Sequence, residues 1–210
     1  MSRKPVLSLV AFVALAACSG GSGTPSAPAS VPVTPGATQT PTPAATAKPA
    51  ATAATPMRFT SLLYGYSITV PAGWNVGAAM LRWDGASAPG HDDASVDKFV
   101  SPSTLSAWGM SGPATGDIDR YVKDNIAWTV RDHGDTCPAT APEATEAIQI
   151  GGEAGVLLSW NCGILINEAL LVRRGIGFVF VMRDPNVNAA IDPADRVIFE
   201  ALLDSVILPS

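Results

Sequence analysis

Three cysteines cannot all pair, and their positions divide them into two roles. Cys137 follows a stretch of helical periodicity. Cys162 ends an apolar run in which Val156, Leu158, Trp160 and Cys162 fall on one face of a strand. A disulfide between them would tie the loop after the helix to the sheet that the helix covers, and closing a loop of that size is worth roughly 3 kcal/mol. The pair lacks the C-x-x-C arrangement of a redox-active dithiol, so a structural bridge is the expectation. Cys18 is left over.

A second group sits in the stretch "WDGASAPGHDDASVD", which gathers Asp84, His91, Asp92, Asp93 and Asp97. Carboxylates with a histidine can hold a divalent cation. The spacing does not follow an EF-hand, which needs acids at alternating positions, a central glycine and a closing glutamate. A solvated acidic loop is the plainer reading, and these five residues mark where a metal would be sought. Trp83, beside this loop, is the tryptophan placed to line a ligand groove. Trp74, Trp108, Trp128 and Trp160 read mostly as core packing.

Nucleophilic catalysis has little to work with. A serine needs a base within hydrogen-bond reach and an oxyanion site nearby. Only His91 and His133 offer an imidazole, and no serine stands in a G-x-S-x-G elbow. His133 closes a helix, where a cationic ring suits the C-terminal dipole without any catalytic duty. Glycine-rich phosphate loops and H-E-x-x-H zinc motifs are absent, so no cofactor is implied. An enzyme would require His91 or His133 to converge with acids in a deep pocket; the expectation is a chain that binds rather than catalyses.

The elements that must carry these residues occupy only part of the 210-residue chain. Residues 1–17 pair a basic start, Arg3 and Lys4, with the apolar run "PVLSLVAFVALAA", which is short for a permanent membrane span and reads as a signal peptide. Residues 18–56 follow as an N-terminal cysteine and a linker. From 19 to 56 there are eight prolines, much Ala, Thr, Ser and Gly, and one charge, Lys48. Such a composition buries too little apolar surface to offset ordering, so it predicts a disordered tether with a coil span of roughly 40 Å. Residues 57–210 are left as one globular domain.

Without Arg3 and Lys4, eleven basic side chains face eighteen acidic ones, a formal charge of −7. Phosphate neutralisation needs clustered Lys and Arg, so no nucleic-acid partner is expected.

Within 57–210, Tyr66, Ile68 and Val70 alternate with Ser67 and Thr69 as in a half-buried strand. Gly151-Gly152 and Arg174-Gly175 each divide two apolar runs, the composition of tight hairpins. "ALLV" and "GFVFVM" are apolar on both faces and belong in the middle of a sheet. A helix is predicted from near Asp117 to near Gly134, with Ile118, Tyr121, Val122, Asn125, Ile126 and Thr129 on one face. A second begins at Asp192-Pro193, an N-cap acid followed by proline at the first helical position, with Val197, Ile198, Ala201 and Leu202 as its buried stripe. "SVIL" then reads as a short closing strand. The sum is an α+β fold, an antiparallel sheet with helices packed on it.

Two resemblances add to this reading. Leu15-Ala16-Ala17-Cys18 resembles the lipobox of bacterial lipoproteins: a branched apolar residue, two small ones, then cysteine. The resemblance implies cleavage before Cys18, a diacylglycerol on its sulfur, and a body anchored outside the cytoplasm to a bacterial membrane. The alternatives are a secretory signal cleaved nearby, leaving a free thiol, or an uncleaved anchor. The segments "YGYSITVPAGW", "DKFVSP" and "FEALLDSVIL", in that order, resemble the PsbP-like domain found in a photosynthetic subunit and in many bacterial lipoproteins. That implies a non-enzymatic module that binds a protein partner or a small ligand, and it carries no catalytic residues to transfer. The long loop from Arg82 to Asp97 and the Cys137/Cys162 pair depart from the expected pattern. A spacer lipoprotein without a ligand, or a metal-binding or hydrolytic one, stands as the alternative.

Overall fold

The computed structural model describes residues 55–210, so the signal segment, Cys18 and nearly all of the tether lie outside the described residues. Strands β1 (Met57–Thr60) and β2 (Ser67–Val70) form an antiparallel hairpin. β3 (Asn75–Gly77), β4 (Asp97–Val100), β5 (Ser106–Pro113), β6 (Ala144–Ile150), β7 (Glu153–Asn161), β8 (Leu165–Arg173) and β9 (Ile176–Asp184) form an antiparallel sheet in the order β3-β4-β5-β9-β8-β7-β6. Helices α1 (Ile118–His133) and α2 (Pro193–Asp204) pack on it. The α+β class expected from the pattern is the one found.

Local chemistry accounts for the connections. β6 to β7 turns at Gly151-Gly152, with φ of 59° and 81°, and β8 to β9 turns at Arg174-Gly175, with φ of 53° and 76°. Two successive positive φ values are what a type I′ hairpin needs to match the twist of its strands. The two runs apolar on both faces are β8 and β9, and they sit in the interior of the sheet with layers on both sides.

Strand pairing sorts side chains by face. On one side, Ala107 and Gly109 of β5, Phe178 and Phe180 of β9 and Ala169 and Leu171 of β8 meet the β1–β2 hairpin and α2. Tyr66 is fully buried there, edge-on to Phe180 at 5.1 Å, and passes over Gly109 so that its hydroxyl donates to Asp97 Oδ2 at 2.8 Å. On the other side, Trp108, Val179, Val181, Glu168, Leu158 and Trp160 face α1.

Two sequence expectations need correction. The buried face of α2 is Asp195, Phe199, Leu202 and Leu203, whereas Val197 and Ala201 are exposed. The helix turns its bulkiest apolar side chain, Phe199, to the sheet, and the neighbours at i−4, i+3 and i+4 follow it in. "SVIL" forms no strand of its own: it makes a single antiparallel bridge, Ser67 to Ile207. The α1 boundaries and buried positions agree with the periodicity. Asp117 caps the helix by accepting from Arg120 N at 3.0 Å, and Tyr121, Asn125 and Thr129 are buried.

Tyr121 reaches the sheet because β9 has no side chain at Gly177. A Cβ there would overlap the Tyr121 ring. Gly177→Ala is therefore expected to push α1 away and lower the unfolding free energy by about 1–3 kcal/mol, read by chemical denaturation; unchanged stability would refute this account of how α1 is seated.

Candidate functional site

Under the C-terminal half of α1, beside Thr129 and Glu168, helix and sheet leave a gap. The gap is a partly open cavity of about 350 Å³. Its sheet wall is Trp108 of β5, Val181 and Arg183 of β9, Ile166 and Glu168 of β8 and Trp160 of β7; its roof is Thr129 and His133 of α1. The Cys137–Cys162 disulfide lies along one edge, joining residues 25 apart in sequence, and Pro89, Gly90 and Asp93 of the long loop lie along another.

Glu168 is the unusual wall residue. It is 3% exposed in the middle of β8, between Leu158 of β7 and Val181 of β9. Among the described residues it receives one hydrogen bond, from Trp160 Nε1 to Oε2 at 3.3 Å, and no cation pairs with it. Burial in this apolar surround pushes its carboxyl up to about 7, offset in part by Trp160 and by the nearby Thr129 hydroxyl. The hydroxyl stands close without hydrogen-bond geometry, so Thr129 Oγ1 is itself unpartnered. The same helix stripe holds two more unsatisfied buried atoms, Asn125 Oδ1 and Tyr121 Oη. Asn125 Nδ2, in contrast, donates to the Tyr121 carbonyl at 2.9 Å. A native core leaves few such atoms, and of these three Thr129 lines the cavity while Tyr121 and Asn125 neighbour each other further along the helix.

The long loop is fastened over this end of the helix. Asp132 Oδ2 accepts from Ala88 N at 2.8 Å, and Arg131 donates to the Ala86 carbonyl at 2.9 Å. The Arg131 hydrogen bond holds the Asp132 carboxyl down to about 2. Fastening the loop brings His91 against His133, with ring centroids 5.9 Å apart. His133 titrates below its ordinary value, chiefly through burial and also through His91, while the Pro89 carbonyl and Asp132 oppose the shift.

The five residues read as a possible cation cluster go separate ways. Asp84 accepts from Ala86 N, Ser87 N and Ser87 Oγ, and Asp92 caps the single 3-10 turn Asp93–Ser95. Asp93 pairs with Lys98 at 2.6 Å. Asp97 is buried and accepts from Tyr66 and from Ala79 N. His91 faces His133. Among the described residues no three His, Cys, Asp or Glu side chains converge as metal ligands.

Trp83 is a correction. It is 5% exposed, packs edge-on against Trp128 at 6.0 Å and does not line the cavity. Its partner is local, Ser87 Oγ at 3.1 Å. The two tryptophans in the wall are Trp108 and Trp160, which the sequence reading left as core. Their signal is positional: each shares a sheet face with the one acid in the run "ILINEALLV".

No protein-family description matches the chain, and no curated protein does. Among solved structures, the solution structure of cyanobacterial PsbP (CyanoP) from Synechocystis sp. PCC 6803 superposes with a TM-score of 0.50. The match covers 80% of this chain and 99% of that one, at 13% identity. The fold is PsbP-like. A crystal structure from Bacteroides thetaiotaomicron matches more loosely, with a TM-score of 0.38 and 14% identity over 69% of this chain and 45% of its own. The PsbP-like core here carries a Cys137–Cys162 bridge and, among its described residues, no helix long and apolar enough to cross a membrane.

The raised Glu168 pKa has a stability consequence. The folded acid holds its proton up to about 7 whereas the unfolded one releases it near 4.5. Between those values the folded state binds more protons, so the contribution is full at low pH and is lost as pH rises through 7. Glu168→Gln, which keeps the shape without the charge, is expected to match the parent near pH 5 and exceed it by about 1–3 kcal/mol near pH 8, measured by denaturant unfolding. A pH-independent difference would place the carboxyl in solvent.

Proposed function

We propose that this chain is a lipid-anchored extracytoplasmic binding module, held to a bacterial membrane through Cys18 and taking a small ligand into the cavity under α1. The observation that carries the ligand half is the cavity wall itself: apolar surface from Trp108, Trp160, Ile166 and Val181 around a buried acid with no charge partner. Pockets of about 300–1,000 Å³ with few convergent polar groups are the usual form of small-molecule sites. The anchor half rests on the Leu15-to-Cys18 signature, the proline-rich segment after it and a disulfide of the kind that persists in oxidising compartments.

This reading is non-enzymatic. His133 does reach the cavity mouth, with His91 against it, but no serine lines the cavity, and the hydroxyls that do belong to Thr129 and Thr136. Thr136 Oγ1 donates to the His133 carbonyl rather than facing its ring as a nucleophile would. A spacer would have no use for a void that leaves a buried acid unpaired, since filling it with a larger apolar side chain would be simpler. Nucleic acid is not an expected ligand for so acidic a chain.

Titration with 2-phenylethanol, followed through the indole N–H resonances of Trp108 and Trp160, is expected to shift both, and Val181→Phe is expected to suppress the shift while leaving the fold intact. Tryptophan resonances in the parent undisturbed by this alcohol and equally by the amine and carboxylate of the same skeleton would remove the ligand half of the proposal. For the anchor, Cys18→Ala should abolish metabolic labelling with fatty acid and release the protein from membranes; labelling that persists would overturn the lipid assignment.

A further inference from the structure

We propose that the ligand of this cavity is a primary ammonium on a compact apolar skeleton, with the ammonium seated between Glu168 and Thr129; this rests on the cavity being a ligand site. What this acid lacks is a positive partner. The Glu168 carboxylate has only neutral donors beside it, Trp160 Nε1 and the Thr129 hydroxyl, and among the described residues no cation pairs with it; Asn125 Oδ1 is a further acceptor, while the Tyr121 and Thr129 hydroxyls can donate as well as accept. Glu168 and Thr129 both line the cavity. An ammonium supplies three N–H donors and no acceptor, together with the positive charge that Glu168 lacks. A buried carboxylate without a partner is costly, and a cation with good hydrogen-bond geometry recovers much of that cost.

The rest of the wall selects the skeleton. Trp108, Trp160, Ile164, Ile166 and Val181 leave apolar surface outward of the acid, which suits a ring or short branched chain, and the indoles can also meet the cation by their faces. An inorganic cation would leave this surface bare. A carboxylate ligand would meet Glu168 as a like charge unless one of the two were protonated.

Other titratable groups face the cavity. His133 of α1 lines the mouth with His91 beside it, Arg183 of β9 and Asp93 of the loop stand at the rim, and Tyr121 lies further up the helix stripe. Arg183 is exposed and, among the described residues, forms no ion pair with Glu168. Protonating either histidine disfavours a cation, so the histidines and Glu168 act in the same direction as pH falls. The variant without the acid separates them.

The experiment uses three probes of one shape on the full chain: 2-phenylethylamine, 2-phenylethanol and 3-phenylpropionate, by calorimetry and by the Trp108 and Trp160 indole resonances. The amine should bind at least tenfold more tightly than the alcohol at about pH 8, and its affinity should fall by up to about tenfold per pH unit below 7 as it must displace the Glu168 proton. Glu168→Gln should remove that advantage and most of the pH dependence while leaving alcohol binding unchanged. The pH profile of the parent stands on its own should that variant fold poorly. Equal or tighter binding of the alcohol or the acid would overturn the ammonium assignment and leave the cavity a ligand site. Binding of none of the three would overturn both.

Discussion

Tyr121 lies against Gly177, where β9 offers no side chain, and that contact anchors the first half of α1 to the sheet. The second half of the helix meets a different surface. Trp108 and Trp160 stand on the same sheet face toward its C-terminal end, and Thr129 opposite them is too small to fill the space between. The space left between that helix face and the two indoles is the cavity. Packed interiors tolerate few voids larger than a water molecule, so a gap of this kind is a feature of the helix seat rather than slack in the core.

Placing Glu168 at that gap works against stability. Its cross-strand neighbours are apolar, it has no basic partner among the described residues, and its ionisation is opposed by burial. A leucine at the same position would continue the run on both sides and remove an unpaired acid from the core. Sites that bind or react are where proteins keep such locally unfavourable groups, because the missing partner is supplied by what arrives. The unsatisfied atoms of Asn125 and Thr129, one helical turn apart on the face above, extend the same deficit.

Much of the frame was legible because it rests on local rules. Paired glycine-type turns, the Asp117 and Asp192 caps and the doubly apolar β8 and β9 all follow from backbone freedom, orphan N–H groups and burial on two faces. The stripe Tyr121-Asn125-Thr129 was legible too, but only as a helix face. What it was for depended on Glu168, which lies forty or so residues on and reads in sequence as an interruption of an apolar run. Only strand register sets it opposite Thr129. The reverse error came from the acidic loop, where composition suggested a cluster. Its carboxylates are consumed one at a time by a turn, a cap, an ion pair and the buried Tyr66 hydroxyl, and no count of acids distinguishes such local uses from convergence.

The disulfide belongs to the same balance. Over the cavity α1 loses the side-chain packing that would hold its last turns to the sheet, and it is there, just after the helix ends, that Cys137 is bonded to Cys162 at the end of β7. A bridge worth roughly 3 kcal/mol supplies a hold that needs no filled space beneath it. The Asp132 and Arg131 bonds to the long loop act from the opposite side, so the helix end is held at both edges while its underside remains open. A purely packed junction would have to close the cavity to gain the same stability, whereas a covalent edge lets the two requirements be met separately.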